Sequence, residues 1–109
     1  MLNLDRRSNS TLTNCTFSDN FCDYQGGAIY ASGESEINVK DSAFTNSKAG
    51  EHGGAITLHS AVLNIDNSEI LNSSATKNGG AVYISYSSSS EINSKVTVTN
   101  SLLKGNSSK

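Results

Sequence analysis

Gly26-Gly27-Ala28-Ile29, Gly53-Gly54-Ala55-Ile56 and Gly79-Gly80-Ala81-Val82 recur at spacings of 27 and 26 residues. That period belongs to architectures in which each unit stacks on the next. Nine residues before each block stands a bulky apolar residue that follows a small polar pair: Asn14-Cys15 then Phe17, Asp41-Ser42 then Phe44, Asn67-Ser68 then Ile70. Asn100-Ser101 then Leu103 begins a fourth copy.

Superposing the copies exposes two short runs of alternating apolar residues per repeat, the period-two pattern of strands with one buried face. The first run holds Ile29 and Ala31, Ile56 and Leu58, then Val82 and Ile84; the second holds Ile37 and Val39, Leu63 and Ile65, then Val96 and Val98, with Leu12 as an N-terminal remnant. Ser, Gly, Glu and Asn fill the spaces between, as in turns, and no helix-period stripe competes. Two strands plus the Phe or Ile segment make a three-sided coil, so the expected fold is all-β, a right-handed parallel β-helix of about four coils. Its inward ladders would be Ile29/Ile56/Val82, Ala31/Leu58/Ile84, Ile37/Leu63/Val96, Val39/Ile65/Val98 and Phe17/Phe44/Ile70/Leu103.

Each Gly pair suits a corner whose dihedrals a Cβ would forbid, with the following Ala keeping that corner flat. Asn14, Asp41, Asn67 and Asn100 recur at a second corner, where Asn and Asp accept left-handed dihedrals and stack as an amide ladder. The regular spacing breaks once. From a Gly pair to the next bulky anchor takes 18, 17 and then 24 residues. The surplus falls in Ser85-Tyr86-Ser87-Ser88-Ser89-Ser90-Glu91, a Ser-rich loop expected to leave one face of the stack.

Composition bounds the rest. The 109 residues are 35% hydrophobic and 6% aromatic, without Trp or Pro, so the core must be thin. A net charge of −2 with scattered acids and bases provides no basic stripe, which argues against nucleic acid as a partner. Met1-Leu2-Asn3-Leu4-Asp5-Arg6-Arg7 lacks the apolar stretch of a signal peptide, and no run approaches the roughly 18 residues of a membrane span, so direct membrane insertion is not expected. One domain over 1–109 is anticipated, with repeats at about 12–38, 39–64 and 65–97 and a partial copy at 98–109. Repeats that run nearly to both ends suggest an excised part of a larger protein, and open strand edges suggest end-to-end self-association.

The motifs with catalytic potential are sparse. Glu34 and Glu36 form the nearest carboxylate pair on one strand face, and the next coil has no acid there. Glu51 and His52 precede a Gly pair at a corner that holds Tyr24-Gln25 and Lys77-Asn78 in the other coils, while His59 replaces Ser32 and Ser85. No convergent set of ligands points to a metal or cofactor. Cys15 and Cys22 occupy small-residue ladder positions, as free thiols or as a disulfide within the first coil. The candidate binding surface is Tyr30, Thr57 and Tyr83, an outward ladder beside Ala28, Ala55 and Ala81, together with Tyr86, Ser88 and Ser89 of the loop.

Gly-Gly-Ala-Ile at 26–29 and 53–56, and Phe17-Ser18-Asp19-Asn20, resemble the Gly-Gly-Ala-Ile and Phe-x-x-Asn repeats of the polymorphic outer membrane proteins. Gly79-Gly80-Ala81-Val82, Phe44-Thr45-Asn46-Ser47, Ile70-Leu71-Asn72-Ser73 and Leu103-Lys104-Gly105-Asn106 are degenerate copies. The resemblance implies a non-catalytic segment of an autotransporter-like adhesin passenger. It would stand at the cell surface or be secreted within a larger parent, and present loops to a host or neighbouring surface protein or glycan. The competing reading is a carbohydrate-active, pectate-lyase-like β-helix enzyme or a degenerate remnant of one, since this fold hosts both.

Overall fold

The computed structural model describes residues 2–85 and 94–108 and contains strands in a fourfold repeating order. The first pass comprises β1 (Leu2–Leu4), β2 (Asn9–Thr13), β3 (Thr16–Ser18) and β4 (Phe21–Cys22). The second is β5 (Ile29–Ser32), β6 (Glu36–Lys40), β7 (Ala43–Thr45) and β8 (Lys48–Ala49). The third is β9 (Ile56–His59), β10 (Val62–Asp66), β11 (Glu69–Leu71) and β12 (Ser74–Ala75). The fourth is β13 (Val82–Ser85), β14 (Lys95–Thr99), β15 (Leu102–Lys104) and β16 (Ser107–Ser108). Equivalent strands pair in parallel into four sheets of four strands, so three full turns separate the first strand of a sheet from its last. The chain is a parallel β-solenoid.

Registers place like on like. Ile29 pairs with Ile56 and Ile56 with Val82; Ala31, Leu58 and Ile84 follow in the same sheet. Ile37, Leu63 and Val96 align, as do Val39, Ile65 and Val98, and Phe17, Phe44, Ile70 and Leu103. All five expected ladders form. Ile29, Ile37, Phe44, Ile56, Leu58, Leu63 and Ile70 are completely buried, and the rings of Phe17 and Phe44 stack at 4.8 Å with 6° between planes. Each such aliphatic contributes about 1.5–3 kcal/mol by burial.

Two features extend the sequence reading. A fourth side exists, made by the two-residue strands β4, β8, β12 and β16, which align Cys22, Ala49, Ala75 and Ser108. Stretches so short carry no readable alternation. The first coil also starts earlier than residue 12, because Leu2–Leu4 and Asn9–Thr13 supply the opening strands of two sheets. Leu4 is buried against the core.

The corners explain the polar repeats. Asn14, Asp41, Asn67 and Asn100 all hold positive φ, between 48° and 55°, as do Asp19, Asn46 and Asn72 at the next corner. The Asn67 carboxamide donates to Asp41 Oδ1 at 2.6 Å, whereas Asn100 turns to Asp66, so the amide ladder is complete between two coils and diverted at the third. The following Ser column is the more regular device. The N–H groups of Cys15, Ser42 and Ser68 donate to Oγ of Ser42, Ser68 and Ser101 in the next coil at 3.1, 3.0 and 3.0 Å. Those hydroxyls donate to the carbonyls of Lys40, Asp66 and Thr99, two residues back. Each coil change therefore satisfies backbone groups that strand pairing alone leaves over.

At the glycine corner the two positions have different duties. Gly26, Gly53 and Gly79 have φ near +65°, where L side chains are strained. Gly54 lies so close to the next coil that a Cβ would sit 1.9 Å from the Gly80 carbonyl oxygen. Ala28 and Ala55, expected along a flat outer row, are instead fully buried core residues.

Candidate functional site

The outward row of the first sheet runs Asn3, Tyr30, Thr57, Tyr83 in register. It is not a continuous exposed ladder. Thr57 is fully buried and its Oγ1 donates to the His52 carbonyl at 3.1 Å. Tyr83 is half-buried because His52 stacks on it, ring centroids 4.4 Å apart and planes 17° from parallel. The same imidazole meets the Asn78 carboxamide at 3.3 Å, in a corner where Gln25, His52 and Asn78 pair by isolated bridges. Tyr30 and Tyr83 are thus separate features with different surroundings.

Around Tyr30 the surface is concave. Asn3, Cys22, Tyr24, Gln25 and Tyr30 line a shallow, largely open cleft of about 340 Å³. Tyr24 is 71% exposed and neighbouring Phe21 62%, two large apolar side chains standing in solvent on the first coil. Aligning the coils in sequence puts Tyr24-Gln25 at the Glu51-His52 corner. What it does not reveal is that Asn3 registers beside Tyr30, because the short Leu2–Leu4 strand carries no motif.

Tyr86, Ser88 and Ser89 lie outside the described residues. The root of their loop is defined on both sides. In the second coil Ser35 Oγ donates to the Ser32 carbonyl and accepts from the N–H of Ser8 at 3.3 Å. In the fourth coil Ser94 repeats both contacts, donating to the Ser85 carbonyl and accepting from the N–H of Ala61 at 3.1 Å. Ser94 thus stands where Ser35 stands.

The chemistry candidates resolve individually. Glu34 has φ of +66° and sits in the turn before β6, so it does not share a strand face with Glu36. Its carboxylate pairs with Arg7 Nε at 3.0 Å, while Glu36 accepts from the Asn38 carboxamide at 3.2 Å. Glu51 is paired with Lys77 at 2.8 Å; that hydrogen bond, then the lysine's charge, lowers its pKa below the ordinary 4.5. His59 Nδ1 lies 2.8 Å from Ser85 Oγ in the next coil, and Ser32 Oγ, at the equivalent position, donates to Asp5. Among the described residues no cluster of three or more His, Cys, Asp or Glu side chains is arranged to hold a metal. Cys15 and Cys22 are free thiols, each half-buried, and the Cys15 thiol donates to the Thr13 carbonyl within the Ser column. The disulfide alternative is not realised.

Residues 14–32 match the Chlamydia polymorphic membrane protein (Chlamydia_PMP) repeat. The matched span runs from the left-handed Asn14 corner through Phe17, Asn20 and the first Gly pair to the end of β5, which is most of one coil. No curated protein and no solved structure matches the chain.

Proposed function

We propose that this chain, a β-solenoid whose residues 14–32 match the polymorphic membrane protein repeat, is a non-catalytic adhesive segment of a surface protein. Its work is presentation: a rigid solenoid holds outward side chains and one inserted loop at fixed positions toward a host or neighbouring surface. The repeat family suggests an outer-membrane or surface location, and among the described residues no helix is long and apolar enough to cross a membrane.

The observation that carries this reading is the substitution of Ser94 for Ser35 at the loop root. A surplus of seven residues, the difference between the 33-residue and 26-residue steps joining equivalent atoms, is accommodated without altering the stack below it. Loop closure entropy rises only slowly with length, so variation at this corner costs the scaffold little. A surface that changes while its frame does not is what a binding module requires.

The test is binding of the labelled chain to cultured epithelial cells. Saturable binding is expected from the complete chain. Deleting residues 88–93 leaves two residues between Ser85 and Ser94, as between Ser32 and Ser35. That variant should unfold at the same temperature and bind more weakly. Absence of saturable binding by the complete chain, or release of unsaturated products from a uronan, would refute the proposal.

A further inference from the structure

The geometry points to a subsite for a neutral pyranose in the cleft between Tyr24 and Tyr30, an inference that rests on the reading of the chain as a binding module and adds a ligand class to it. Among the described residues the lining is two phenol rings, two carboxamides and one thiol, none of them carrying a formal charge. Among the described residues the Asn3 and Gln25 side chains have no hydrogen-bond partner, so each offers a donor pair and an acceptor to a ligand. Flat apolar faces beside free amides fit a sugar ring, whose C–H face packs on an aromatic while its hydroxyls, each both donor and acceptor, meet the amides. An ionic ligand would find no counter-charge among these five residues.

The repeat supplies an internal comparison. Tyr83, two coils beyond Tyr30 in the same outward row, has its ring covered by the flat imidazole of His52 at 4.4 Å. Tyr30 is flanked along that row by Asn3 on one side and the buried Thr57 on the other. Its ring instead borders the 340 Å³ cleft. The tyrosine of one coil stacks on a ring from its own chain; its equivalent faces a space of ligand size. Tyr24, 71% exposed, lines the same cleft.

The experiment is titration of the whole isotope-labelled chain with the methyl glycosides of glucose, galactose, mannose and N-acetylglucosamine, followed by NMR. At least one should shift the Asn3 and Gln25 side-chain amide signals saturably, with Kd of order 1 mM. Tyr24→Ala should weaken that binding about 3- to 10-fold, and because Tyr24 is exposed the variant keeps the fold if Tyr30→Ala does not. Tyr83→Ala should leave the titration unchanged. No saturable shift up to about 50 mM, shifts confined to another face, or a response to N-acetyltyrosinamide alone would overturn the inference, the last by assigning the cleft to an aromatic peptide side chain. Cell binding that persists undiminished in Tyr24→Ala would remove this subsite while leaving the surface-module reading intact.

Discussion

Asn106 makes two backbone contacts that its counterparts Ser73 and Ser47 do not. Its Oδ1 accepts the N–H of Ser73 at 2.8 Å and its Nδ2 donates to the Ile70 carbonyl at 2.9 Å, bonding one coil to the one beneath. At the same place in the second and third coils the Ser47 and Ser73 hydroxyls are buried without a hydrogen-bond partner. Replacing Ser73 by Asn should extend the Asn106 arrangement by one coil, with Oδ1 toward the N–H of Ser47 and Nδ2 toward the Phe44 carbonyl. Removing an unpaired buried hydroxyl relieves about 1–3 kcal/mol, and two new hydrogen bonds add about 0.5–1.5 kcal/mol each. Ordering the longer side chain and fitting its extra atoms oppose this by about 1–2 kcal/mol. The net expectation is stabilisation centred on about 2–3 kcal/mol, within a span of about 0–5 kcal/mol, with Tm rising roughly 4–8 °C for each kcal/mol in a domain near this size. Urea and thermal denaturation followed by circular dichroism provide the measurement, with Ser73→Ala as the control that removes the hydroxyl and adds no bond. If Ser73→Asn is no more stable than Ser73→Ala, the inward-turned amide does not clamp successive coils and the reasoning fails.

Gly54→Ala should lose at least about 3 kcal/mol or fail to fold, because the new Cβ meets backbone atoms of Gly80 and Ser74 that cannot turn aside; its urea midpoint against the parent chain decides this. Asn67→Asp sets a second carboxylate against Asp41 Oδ1 in place of a 2.6 Å hydrogen bond. It should destabilise the stack at neutral pH by about 1 kcal/mol and recover part of that loss below pH 4, a crossing visible in Tm measured across pH. For Glu51, a carboxyl whose folded pKa is depressed contributes stability above its unfolded value that is lost as pH falls through the folded one. Lys77→Met should therefore move the Glu51 carboxyl midpoint, followed by carbon-detected NMR, up toward 4.5. An unchanged midpoint would show that the pair does not persist in solution.

The inward half of this molecule is written in its sequence because stacking forces equivalent residues to touch. Ile29, Ile56 and Val82 recur at one phase, and their registry is the fold. Strands of two residues cannot show a period, so although Cys22, Ala49 and Ala75 share one small-residue ladder position in the sequence, that they form a fourth side became visible only once the chain was folded. The Ser column was present in the text as a small polar pair, but its meaning lies in bonds between residues 26, 27 or 33 positions apart. Outward residues were harder. Thr57 occupies the same strand phase as Tyr30 and Tyr83, and alternation alone assigns all three to solvent; burial of Thr57 follows from its bond to the His52 carbonyl and the imidazole stacked beside it.

That asymmetry has a physical cause that bears on function. A core position in a solenoid is constrained twice, by the strand's own alternation and by identical positions above and below, so errors there are felt in neighbouring coils. An outward position is constrained by its lateral neighbours alone, and these differ from coil to coil: Tyr24, Glu51 and Lys77 share one corner place, yet one is a bare aromatic and two form an ion pair. The same corner can therefore be a cleft wall in one coil and a salt bridge in the next with no cost to the frame. Binding properties built this way belong to single coils and not to the repeat. Exchanging Tyr24 for Lys should abolish the local site while leaving Tm within about 2–4 °C of the parent, the size expected of a surface change within ±0.5 kcal/mol. A large loss of stability would mean instead that Tyr24 helps hold the first coil and that frame and surface are not separable there.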